Sequence, residues 1–135
     1  MKTVIFDMSG TIYYTDLKSQ ERFLEVPGAI DTIMAYYKQG YKVVIMSMLS
    51  SQYSREILTY LLDKKDLETQ TILKDFDILC MQNFGGKDSV EAWKSAMEAY
   101  QNVEHIYEDL ETKLEKAGLA AQELGHDPQL HLGLE

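Results

Sequence analysis

The chain has 135 residues, 45% of them hydrophobic and 26% charged, which suits one soluble domain that buries its core without disulfide or metal staples. A formal net charge of −9 and the lack of a basic cluster argue against nucleic acid as a partner. No apolar run approaches a membrane span and no charged-then-apolar leader precedes the first apolar run, so no membrane partner and a cytoplasmic location are expected.

The first element is an apolar strand that breaks into acid, hydroxyl, glycine and hydroxyl: Val4-Ile5-Phe6-Asp7-Met8-Ser9-Gly10-Thr11-Ile12. A carboxylate at the end of a buried strand loses hydration and needs a cation or N–H donors beside it. Gly10 permits a tight turn and close approach to the backbone, and Ser9 and Thr11 offer hydroxyls and N–H donors to an oxyanion. An Asx-turn closing a strand would use the same residues, so the stretch by itself leaves both readings open. Tyr13 and Tyr14 either line an entrance or pack under a loop, and a polar stretch runs on to Glu25.

Val26-Pro27-Gly28-Ala29 reads as a helix start with Pro27 in the first turn, followed by Ile30, Ile33, Met34 and Tyr37 at helical spacing and Gly40 as the stop. A second apolar strand over 41–47 again ends in a hydroxyl, Ser47. A helix over about 52–62 follows, with Ser50 and Ser51 competing to cap it, and residues 64–74 read as a polar connection with room for a short helix. The third strand spans 76–81 and contains Cys80, the only cysteine, which reads as a small core hydrophobe in a reducing compartment. Two glycines and Lys87 precede a helix for which Asp88 and Glu91 have capping-box spacing, with Val90, Trp93, Met97 and Tyr100 inward. A weaker strand over 103–107 leads into Glu108-Asp109, and a last helix uses Leu110, Leu114, Ala117, Ala121 and Leu124 up to Gly125. Residues 129–134 read as an edge strand, and Leu134-Glu135 could be a cloning scar beyond a single domain over 1–133.

Strands that alternate with helices and end in polar groups call for an α/β doubly wound sheet with the site along one edge. The order Asp7-Met8-Ser9-Gly10-Thr11, Ser47, Lys87, Asp109 resembles the four motifs of the haloacid dehalogenase-like (HAD) phosphohydrolases over nearly the whole chain. The resemblance implies a Rossmann-like three-layer α/β/α sandwich with a small parallel sheet. The dozen or so residues between the first strand and helix are too few for a cap domain, so a short helical turn and hairpin flap are expected there. It further implies that Asp7 is a nucleophile attacking phosphorus, with Lys87 as the second catalytic residue. Ser47, Ser9, Gly10 and Thr11 would bind phosphate, and Asp7, Asp109 and the Ser9 carbonyl would hold Mg²⁺. A small phosphorylated substrate is the implied partner.

Two positions depart from the family. Ser9 replaces the Asp that serves as general acid and base, and Lys113 stands where another acid is usual. Glu108 or Asp16 could supply a replacement acid, and Glu111 or Glu115 a replacement metal ligand. The departures leave a slow phosphatase as the first expectation and a HAD-fold binding or regulatory protein with a protein partner as the alternative. Phosphatase action on nucleotides or polynucleotide ends comes third, because of the charge.

Overall fold

A computed structural model describes residues 1–65 and 68–134. The elements in chain order are β1 (Thr3–Phe6), β2 (Tyr13–Tyr14), β3 (Leu24–Glu25), α1 (Ala29–Lys38), β4 (Lys42–Ser47), α2 (Ser51–Asp63), α3 (Thr69–Leu73), β5 (Asp77–Cys80), α4 (Val90–Met97), β6 (Val103–Glu108), α5 (Glu111–Glu123) and β7 (Gln129–Leu132). A 3₁₀ turn over Met81–Phe84 follows β5.

Five strands form one parallel sheet in the order β5-β4-β1-β6-β7, and β2 pairs with β3 as a separate antiparallel hairpin. The alternation of side chains along each strand divides the core into two layers. From β1, Val4 and Phe6 face one side and Ile5 the other; from β4, Val43 and Ile45 separate from Val44 and Met46. The first side packs on Ile30 and Ile33 of α1, Ile57, Leu58 and Leu61 of α2, and Ile72 of α3. The second packs on Trp93 and Met97 of α4 and on Leu114, Ala117 and Ala121 of α5. Strands covered on both faces have to read as continuous apolar runs, as β1 and β4 do. This is the expected three-layer α/β/α sandwich, and between β1 and α1 it carries only the β2–β3 hairpin.

Several boundaries differ from the sequence expectations. Helix α1 opens at Ala29, beyond Pro27, because Gly28 takes the N-cap place and the Glu25 carboxylate accepts the Ile30 N–H at 2.9 Å. Asp88 is not the cap of α4; the Ser89 hydroxyl accepts the Ala92 N–H at 3.1 Å. Glu91 then falls in the second helical position, where a capping box cannot close. For α2 the cap is Ser50, whose hydroxyl accepts the Tyr53 N–H at 3.1 Å. The polar connection over 64–74 holds α3, while its residues 66 and 67 lie outside the described part. Leu134, set apart as a scar, packs half-buried against the first core layer, and Glu135 lies outside the described residues. Among the described residues no helix is long and apolar enough to cross a membrane.

Candidate active site

The central strand β1 ends in Asp7, whose N–H still donates to the Tyr107 carbonyl of β6 at 2.9 Å, so the carboxylate is held by sheet pairing. The chain then doubles back: the Met8 carbonyl accepts the Ile12 N–H at 2.8 Å, and the Gly10 N–H donates to the Tyr13 carbonyl at 2.9 Å. Gly10 sits at φ +82°, a region costly for residues with a Cβ. A Cβ there would also fall 2.8 Å from Cγ of Asp109 and closer still to its Oδ2. Glycine is therefore required twice, for the turn and for the approach of Asp109.

Lys87 is brought in by the loop before α4. Its backbone carbonyl accepts the Trp93 indole N–H at 3.0 Å, and its ammonium lies 5.5 Å from the centre of the Trp93 ring. The side chain is 1% exposed and donates to Asp7 Oδ1 at 2.5 Å and to Glu108 Oε2 at 2.9 Å. Glu108, at the end of β6, is equally buried, and its Oε1 accepts the Asp109 N–H at 3.2 Å. The Thr11 hydroxyl donates to Asp7 Oδ2 at 3.3 Å. At the end of β4 the Ser47 oxygen accepts the Leu49 N–H at 3.0 Å, which leaves the hydroxyl proton free to donate.

Two carboxylates share one ammonium in a dry site. Burial pushes the Asp7 carboxyl up, with the Lys87 charge pulling it back. Burial and then the Asp7 charge push Glu108 up to about 8, again against Lys87. Asp7, Glu108 and Asp109 each offer one carboxylate oxygen within 4.8 Å of the others. The three convergent carboxyl groups, Asp109 exposed beside the buried Asp7 and Glu108, form an all-oxygen donor set that fits a hard divalent cation such as Mg²⁺.

These groups open into a cavity of about 300 Å³ lined by Asp7, Ser9, Tyr13, Ser47, Lys87, Glu108 and Asp109, with Met48, Leu49, Leu110 and Lys113 completing the wall. The sequence-predicted residues Asp7, Ser9, Ser47, Lys87, Glu108 and Asp109 thus meet in one place. Gly10 and Thr11 are absent from its wall: their N–H groups are taken by the Tyr13 and Met8 carbonyls, while Gly10 leaves room for Asp109 and the Thr11 hydroxyl donates to Asp7. Asp16 does not join them: its carboxylate and carbonyl accept the Lys18 and Ser19 N–H groups, both at 2.9 Å, in an exposed turn between the strands of the hairpin. Glu111 is exposed and absent from the wall, and Glu115 lines a separate groove with Leu119 and Leu130. Tyr13 is buried in the wall and Tyr14 is exposed. The sequence marks Lys113 through the resemblance, at a position where an acid is usual, but not as a wall residue, and Met48, Leu49 and Leu110 were missed; the spacing of three between Leu110 and Lys113 shows only that they share a helix face.

Compared with known proteins, the sequence matches no family profile and no curated protein. The structure is similar to the crystal structure of D,D-heptose 1.7-bisphosphate phosphatase from B. bronchiseptica complexed with magnesium and phosphate. The two share 17% sequence identity at a TM-score of 0.55, over 98% of this chain and 83% of that one. At this level of identity the likeness is one of fold, a Rossmann-like α/β/α sandwich, and in this chain the polar strand ends of the sheet converge on the cavity.

Proposed function

We propose that this chain is a phosphohydrolase of the HAD type, dependent on Mg²⁺ and forming an aspartyl phosphate on Asp7. One observation carries the reading. A buried carboxylate from β1, a hydroxyl from β4, an ammonium from the loop before α4 and the acids ending β6 share one cavity at the carboxyl ends of parallel strands. The fold-level likeness to a phosphatase supports it.

In this reading an Asp7 oxygen attacks phosphorus in line, the bond to the leaving oxygen breaks, and the departing alkoxide takes a proton from water. A second water then attacks the phosphorus of the acyl phosphate, releasing inorganic phosphate and restoring Asp7. Lys87 fixes the Asp7 carboxylate through its 2.5 Å contact and opposes the upward push of burial, favouring the ionised form needed for attack. Glu108 holds Lys87 in turn, and the free Ser47 proton serves the phosphoryl oxygens. Asp7, Asp109 and the Ser9 carbonyl would hold Mg²⁺, which when bound offsets the repulsion between carboxylate and phosphate. Ser9 cannot protonate a leaving group at neutral pH, so turnover is expected to be slower by about 10²–10⁴-fold than with an acid there, and best with activated esters.

The test is phosphate release from an activated aryl phosphate, with Mg²⁺ and with EDTA, for the wild type beside Asp7→Asn. Turnover requiring both Mg²⁺ and Asp7 is expected. Turnover equal in wild type and Asp7→Asn would overturn the reading. The second reading, a binding or regulatory protein of the same fold, is favoured by Ser9 and Lys113 standing at two acid positions. It predicts Mg²⁺-dependent phosphate binding with no turnover.

A further inference from the structure

Lys113 is the charged group of the cavity wall that the proposed chemistry leaves unused. The other cation there, Lys87, is fully engaged by Asp7 and Glu108. Among the described residues, ion pairs form at Lys42, Lys64, Lys65, Lys87 and Lys94, and none forms at Lys113. Lys113 is half-buried in the first turn of α5, where the positive end of the helix dipole makes a cation unfavourable. Met48, Leu49 and Leu110 on the same wall are apolar, and the acid four residues before it, Asp109, is turned to Gly10 and to the other two acids. Met48 and Leu110 are exposed, 37% and 48%, which places this part of the wall at the mouth, whereas Asp7, Ser47 and Lys87 are buried at the floor.

A phosphomonoester seated on Asp7 has its leaving group directed to that mouth. A neutral body lying on Met48 and Leu110 would strip water from the Lys113 ammonium and give nothing back. A body with its own anionic group would convert the same desolvation into a charge-assisted hydrogen bond. We propose that Lys113 is a specificity-determining residue that receives a second anionic group, carboxylate or phosphate, carried by the substrate's leaving portion. The inference rests on the phosphatase reading of the same site. It accounts for a cation at a position where the family resemblance leads one to expect an acid.

Binding of non-hydrolysable probes separates this inference from turnover. Propylphosphonate, 3-phosphonopropionate and ethylene-1,2-diphosphonate share one phosphonate on a two-carbon spacer and differ in a methyl, carboxylate or phosphonate tail. Titration calorimetry of the full chain, with and without Mg²⁺, should show the charged tails binding about tenfold tighter than the neutral one, as expected for one charge-assisted contact. Whichever charged tail shows the larger preference identifies the natural group. In Lys113→Met the preference should collapse, while in Lys113→Arg it should persist. Equal affinities in the wild type, a preference that survives Lys113→Met, or equal loss for charged and neutral tails would overturn the inference. An aryl phosphate turned over without any tail preference would leave the phosphatase reading standing and remove this one. A tail preference with no turnover would do the reverse.

Discussion

Replacing Gly10 with alanine tests the packing of the first loop against Asp109. The new Cβ forces a residue with a side chain to φ +82°, which costs about 1–2 kcal/mol, equivalent to a Tm fall of roughly 3–8 °C in a domain of this size. It also lies 2.8 Å from Asp109 Cγ, and the flexible carboxylate is the partner that can move. Asp109 then leaves the group of three acids whose oxygens lie within 4.8 Å of one another. Loss of an outer supporting group weakens metal sites by about ten- to a hundredfold, and loss of a donor should do at least as much. At a Mg²⁺ concentration near 100 Kd the wild type would gain about 2.7 kcal/mol, and a variant weakened tenfold about 1.4 kcal/mol. Thermal melts of both proteins in EDTA and across a Mg²⁺ titration separate the two effects. The backbone cost persists in EDTA; the halved gain appears only with the ion. A Gly10→Ala protein that responds to Mg²⁺ as the wild type does would refute the placement of Asp109 in the metal site.

Restoring an acid with Ser9→Asp should raise turnover of an aryl phosphate by about 10²-fold or more at saturating Mg²⁺, and an unchanged rate would count against the account of Ser9. Lys87→Met leaves Asp7 and Glu108 buried without their cation, at a cost of about 3–5 kcal/mol in urea unfolding near pH 7. That deficit should narrow on acidification, because protons then neutralise the remaining carboxylate charge; a deficit independent of pH would contradict the pairing. His105 and His131 meet across β6 and β7, with ring nitrogens 3.0 Å apart, and burial holds both below the ordinary imidazole range. The folded state keeps them neutral while the unfolded chain takes up protons, so stability should be intact above about pH 6.5 and fall as pH drops below it. In His131→Gln the fall in Tm between about pH 7 and pH 5.5 should be shallower, and an equal or steeper fall would refute this.

The strand ends were legible because a run buried on both faces has to be apolar, and a break such as Phe6-Asp7 or Met46-Ser47 marks where it reaches the cavity. The helix caps were less so: Asp88 and Ser89 are both good caps, and only the extended backbone of Ser89, at φ −132°, decides between them. In sequence Asp109 reads as a metal ligand and Glu108 as a replacement acid. The sheet ends between them, so one is buried on Lys87 and the other packs on Gly10 at the cavity. Lys113 carried no signal in isolation, since a lysine in a first helical turn is ordinarily solvated. Its meaning arises from a wall assembled by four separate segments.

The strand order also bears on how the molecule is made. β1 leaves the ribosome before either of its partners, and its second neighbour, β6, follows about a hundred residues later. Until β6 emerges the edge of Thr3–Phe6 that will meet it has no partner, and an unpaired apolar strand edge is open to association with other chains. Lys87 and Glu108, the groups that steady Asp7, also arrive late. A nascent chain ending before β6 would therefore be both chemically idle and prone to aggregate, and a holdase at the ribosome exit should raise the yield of active protein.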